Sequence, residues 1–141
     1  MRLVLPAAAI LTLLCFSAYG QKTAVNPIDA TLAKCLATAK ANLPRAECYS
    51  NAEAAWEKDV DTTYEALVAR LSGPERPTEL KTSVEKTQMA WERFRDAEFD
   101  LFSQEYGKKR GTGYIIPRIT MRIDVVKPRA LELERLLAAY E

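Results

Sequence analysis

Histidine is absent from this 141-residue chain. Its absence removes the commonest general base and the commonest transition-metal ligand. Glycine is scarce, with five residues, and none belongs to a phosphate-cradling loop, a nucleophile elbow or a calcium loop. Gly111-Thr112-Gly113 follows no strand pattern, so it carries no nucleotide-binding signal. An excess of charge is also lacking: 20 Lys and Arg face 19 Asp and Glu. A general nucleic-acid or membrane-surface binder needs a strong positive balance or a basic face. Lys108-Lys109-Arg110 is a local exception, placed in a loop. It reads either as a solvated loop or as a candidate partner-docking loop. Asp59 with Asp61, and Glu98 with Asp100, are two apart and share no helix face, so they read as solvated surface. No catalytic, cofactor-binding or metal-binding residue is assigned.

Long apolar runs are missing apart from Leu3 to Phe16, 14 residues and too short to span a bilayer comfortably. Met1-Arg2 precedes it, and Ser17-Ala18-Tyr19-Gly20 follows with small residues at the −3 and −1 positions. That is the layout of a cleavable secretory signal over residues 1–20. An uncleaved membrane anchor is the competing reading. Cys15 follows Leu13-Leu14, not the small residue of a lipoprotein signal. The exported chain is one domain over residues 21–141, with 19 basic and 19 acidic residues once Arg2 is removed. Its location is periplasmic or secreted, with no membrane span after cleavage. Two cysteines remain, Cys35 and Cys48. In an oxidising compartment they most simply form one disulfide, closing a loop of about 14 residues. Two buried free thiols are the alternative.

What is present is helical periodicity. Asn26-Pro27-Ile28-Asp29 supplies a cap, a first-turn proline and a first-turn acid. This helix is expected to reach about Ala41 and end at Leu43-Pro44. A second runs from about Ala46 to Leu71, with Ala52, Trp56, Val60, Tyr64, Leu67 and Leu71 on one stripe. The segment Ser72 to Pro77 breaks it. Thr78 caps a third helix, Glu79 to about Tyr106, stopped by Gly107. After a loop over 108–113, Ile119, Ile123, Val126, Ala130, Leu133, Leu137 and Tyr140 keep one phase across Pro128. One helix kinked at Pro128 explains this, and two helices joined at Lys127-Pro128 is the rival. Tyr114-Ile115-Ile116 is too short for a strand and precedes Pro117. The class is all-α, a small antiparallel bundle of three to four helices.

One stretch of the third helix is unusual. Gln88, Trp91, Arg95, Glu98 and Phe102 span about 80° of one face, so polar groups share the stripe that ought to be core. Arg95 and Glu98 are spaced to pair. Either the set is a structural polar network, with Arg95 against Trp91, or it is a partner-facing patch anchored by Trp91 and Arg95.

These residues carry a resemblance. Cys35 and Cys48, Trp56 and Tyr64 with Leu67 and Leu71, then Gln88-x-x-Trp91-x-x-x-Arg95-Asp96-Ala97-Glu98, a glycine-containing loop, and Arg129 with Leu133 follow in order. The chain resembles the LprI-like secreted bacterial domain, a family named after a lysozyme-inhibitor lipoprotein. The resemblance covers nearly all of residues 21–141. It implies an all-α, secreted or periplasmic, non-enzymatic protein whose motif residues are mainly scaffold. Members commonly carry a second cysteine pair, and here those positions are Phe99 and a site near Met121. Pro128 beside Arg129 is a further departure. The implied function is steric blocking of lysozyme or another cell-wall hydrolase. No strongly acidic loop suited to a basic lysozyme is present. The alternative is an envelope partner protein without inhibitory activity. A hydrolase would need two carboxylates facing one cleft, about 5–10 Å apart.

Overall fold

The computed structural model describes residues 25–73 and 78–140. The expected signal segment and the Pro74–Pro77 breaker lie outside these residues. Helix α1 spans Pro27–Thr38, α2 Asn42–Leu71, α3 Thr78–Gly107 and α4 Ile115–Ala138, with a 3-10 turn at Thr112–Tyr114. No strand occurs among the described residues.

Helix α1 begins as its sequence directs. Asn26 Oδ1 accepts from the Ile28 backbone N–H at 2.8 Å, and Pro27 occupies the first turn, where its missing N–H costs nothing. The helix is shorter than expected and stops at Thr38. Leu43-Pro44 does not terminate it; both lie in the first turn of α2, where proline is tolerated. Gly107 is the last residue of α3, yet it does not use the left-handed conformation of a glycine cap. Among the described residues Gly111 alone has positive φ, at 100°. The left-handed turn thus falls inside the loop, four residues later than the glycine expected to make it. Pro117 and Pro128 both sit within α4. Pro117 is in its first turn. Pro128 removes the bond to the Asp124 carbonyl, but both residues are exposed and water can serve that carbonyl. One helix therefore runs through Pro128, and the two-helix alternative falls.

Helices α2, α3 and α4 run up, down and up. The parallel pair α2 and α4 forms the centre. Trp56, Val60, Leu67 and Leu71 meet Val126, Ala130 and Leu133, all at most 2% exposed. Each fully buried leucine of this kind stabilises by roughly 1.5–3 kcal/mol. Helix α3 lies across both but buries only Val84, Gln88 and Phe102. Helix α1 buries no residue. It is held by the Cys35–Cys48 disulfide, with Cα atoms 5.7 Å apart, and by Lys127 Nζ, which donates to both carboxylate oxygens of Asp29 at 2.9 and 2.7 Å. The same ammonium lies 5.3 Å from the centre of the Trp56 ring. No helix among the described residues is long and apolar enough to cross a membrane.

Candidate partner-binding site

The polar residues of the α3 stripe divide into two groups. Gln88 is 2% exposed and Arg129 6%. Gln88 Oε1 accepts from Arg129 Nε at 3.1 Å and from Nη2 at 2.9 Å, which ties α3 to α4. Gln88 Nε2 donates to Glu92, and Arg129 Nη1 to Glu132, each at the network's wetter edge. Tyr64 of α2 lies beside this network. Burial pushes its hydroxyl above the usual phenol range, the charges of Glu85 and Glu92 push the same way, and Arg129 opposes them. Gln88, Arg129 and Tyr64 thus meet where the three long helices converge.

Trp91, Arg95 and Glu98 are only half-buried. The Arg95 guanidinium lies 5.3 Å from the Trp91 ring centre, as the sequence suggests. It does not pair with Glu98. It donates through Nε and Nη2 to Asp96 Oδ1 at 3.0 and 2.8 Å, because the neighbouring carboxylate can be reached without leaving the indole face. No partner for Glu98 is found among the described residues.

Two polar clusters lay outside the sequence reading. The Arg122 guanidinium covers Phe99 at 4.0 Å, and its Nε lies 2.7 Å from Glu53 Oε1. That contact is an ion pair without hydrogen-bond alignment, since the buried Nε–H finds no acceptor in line. Burial pushes the Glu53 carboxyl up, Arg122 pulls it down, Glu57 pushes it up and Arg118 pulls it down. The α3–α4 contact at Phe99, one expected cystine position, is therefore made to the neighbour of Met121. Asp59 is not solvated surface: its Oδ2 is buried without a donor. Glu134 faces it, and burial together with the hydrogen bond and charge of Asp59 raises the Glu134 carboxyl. A proton on Glu134 would give this pair a donor, and ionising Glu134 leaves two negative charges side by side. No group of three or more metal-ligating side chains is found among the described residues.

The basic loop packs on its own aromatic residues. Tyr106 lies in the last turn of α3 and Tyr114 immediately precedes α4, with ring centres 6.4 Å apart. Lys109 Nζ sits 4.7 Å from the first ring and 5.5 Å from the second, and it donates to Glu105. That hydrogen bond raises the Lys109 ammonium above its ordinary value, so it stays charged. The Lys109 backbone N–H bonds to the Tyr106 carbonyl at 3.1 Å, and Gly111 supplies the positive φ that turns the chain back. A recess of about 110 Å³ lies between Tyr106, Lys109, Gly111, Tyr114 and Arg118. Lys108 and Arg110 are exposed and make no hydrogen bond, ion pair or ring contact with any described residue. The loop presents two free cations beside an aromatic pair.

These features define a disulfide-bonded all-α bundle in which the motif residues Tyr64, Gln88 and Arg129 converge on the helix junction. The sequence matches the family described as lysozyme inhibitor LprI over residues 33–133, and the chain belongs to that family. No curated protein matches the chain. A crystal structure of an uncharacterised protein from Burkholderia thailandensis is similar, with a TM-score of 0.69 and 27% identity. The match covers 84% of this chain but only 57% of that one, so this chain spans little more than half the length of its structural relative.

Proposed function

We propose that this protein is an exported, non-enzymatic binding protein that sterically blocks lysozyme or another cell-wall hydrolase. The observation that carries the reading is the loop Lys108–Arg110 between Tyr106 and Tyr114. A glycoside hydrolase cleft holds two carboxylates and a surface shaped for sugar rings. Free cations at Lys108 and Arg110 complement the carboxylates, and the tyrosines offer flat rings where sugar would lie. The contacts of Lys109 with Glu105, Tyr106 and Tyr114 favour one arrangement of the loop, and any such bias lowers the ordering cost of binding. Family membership supports the same reading, because the family is described by lysozyme inhibition. Export over residues 1–20 and a periplasmic or secreted location accompany it, supported by the disulfide.

Titrating the oxidised protein into chicken-type, goose-type and invertebrate-type lysozymes and one bacterial lytic transglycosylase tests the proposal. Saturable inhibition near one-to-one, lost in Lys108→Glu/Arg110→Glu, is the expected result. Absence of inhibition in all four, at excess protein, refutes it.

A further inference from the structure

The outer face of α3 is exposed and meets the rest of the bundle only at one edge, where Phe94 borders a recess beside Val125 and Pro128 of α4. Ala90, Phe94, Ala97 and Leu101 recur at spacings of four, three and four, and at 100° per residue they fall within about 60° of one another. All four are exposed, Phe94 at 53% and Leu101 at 55%. This is the seam spacing of a coiled coil, on a helix whose opposite face already serves the core.

We propose that this face is a self-association surface on which a second copy of the chain packs antiparallel, α3 against α3. Three observations select a second copy. The first is size. Bulky and small residues alternate along the seam, and good packing sets large against small across an interface. An antiparallel pair about a two-fold axis places Phe94 of each copy on Ala97 of the other, and Leu101 on Ala90. A parallel pair sets Phe94 on Phe94 and leaves alanine facing alanine, with a gap between.

The second is charge. Arg93 and Asp100 flank the seam on one edge, are exposed, and have no partner among the described residues. They stand about 10 Å apart along the helix, too far to pair within one chain. In the antiparallel register just described, Arg93 of each copy faces Asp100 of the other, so the contact forms twice. Flanking charges of this kind set orientation and register. Sliding by one heptad would oppose Asp100 to Asp100. The third is symmetry. A surface complementary to itself under a two-fold rotation is what an isologous dimer requires. A seam this short buries less than the roughly 1,200 Å² of a standard stable interface, so the dimer is weak. The inference does not depend on the proposed inhibition.

Sedimentation of the purified protein, disulfide intact, over micromolar to millimolar concentrations tests it. Reversible dimerisation is expected, abolished by Phe94→Glu with the circular dichroism unchanged. Arg93→Asp weakens the dimer at least several-fold, and Arg93→Asp with Asp100→Arg restores it. Since Arg93, Phe94 and Asp100 are exposed, these variants keep the fold. A monomer throughout, a dimer indifferent to Phe94→Glu, or a charge swap that fails to restore association overturns the proposal.

Discussion

Replacing Gln88 by leucine isolates the link between α3 and α4. Leucine matches glutamine closely in volume, so the packing volume is nearly kept while both bonds to the Arg129 guanidinium are lost. Hydrogen bonds to a charged group contribute about 1.5–3 kcal/mol each, and removing one partner of a buried charge costs about 3–5 kcal/mol. The cost here falls just below that range. Arg129 Nη1 keeps its 2.8 Å bond to Glu132, whose side chain is 50% exposed, so water can approach that end. The expected loss is about 2–3 kcal/mol, or a melting temperature lower by roughly 8–12 °C for a domain of this size. The double variant Gln88→Leu/Arg129→Met removes the stranded charge along with its partner. It is expected to recover much of the loss, giving a coupling of about 1–2 kcal/mol in a double-mutant cycle. Thermal unfolding followed by circular dichroism reads both. If Gln88→Leu lowers the melting temperature by less than about 2 °C, Arg129 has another means of satisfaction and the network does not hold α3 in place.

Leu133→Ala, at a fully buried position, is expected to cost about 3–5 kcal/mol in denaturant unfolding, because no exposed neighbour can collapse into the space. Arg95→Ala costs less, about 0.5–1 kcal/mol, since Arg95 lies on the Trp91 face and pairs with the exposed Asp96. Reduction of Cys35–Cys48 removes about 3 kcal/mol and frees α1, which buries no residue, so limited proteolysis should then cut between Thr38 and Asn42. Burial raises the Glu134 carboxyl from 4.5, helped by Asp59. A raised carboxyl binds its proton more tightly in the folded state, so its stabilisation is complete below 4.5 and is lost as pH rises through the folded value. Relative to wild type, Glu134→Gln should therefore gain melting temperature at pH 7 and lose that advantage as the pH falls toward 4.5. An equal difference at both pH values would contradict the raised Glu134 carboxyl.

The core of α2 and α4 was legible because their apolar stripes are long and in phase, so even Pro128 did not hide the helix. Boundaries set by one or two residues were not. Leu43-Pro44 looks like a stop, but proline opens a helix as readily as it ends one, and the backbone geometry decides between them. The α3 stripe was legible as an anomaly, and its polar members do meet α4 through Gln88. The choice of Asp96 over Glu98 as partner of Arg95 depends on where the guanidinium rests against Trp91, which spacing cannot encode. Glu53 carried a usable signal, since it falls on the same arc of α2 as Val60 and Leu71, and Arg122 shares an edge of α4 with Arg129 seven residues on. The Asp59–Glu134 contact joins residues 75 apart, and periodicity within either helix says nothing about which edges meet.

The most direct test of the proposed blocking role is the kinetic form of the inhibition. Lysozyme initial rates on a soluble oligosaccharide substrate would be measured at several fixed concentrations of this protein. A loop seated in the cleft competes with sugar: the apparent KM rises in proportion to inhibitor while kcat is unchanged, and Lys108→Glu/Arg110→Glu removes the effect. Inhibition that lowers kcat at constant KM, or that survives the loop substitutions intact, would contradict a block delivered by this loop.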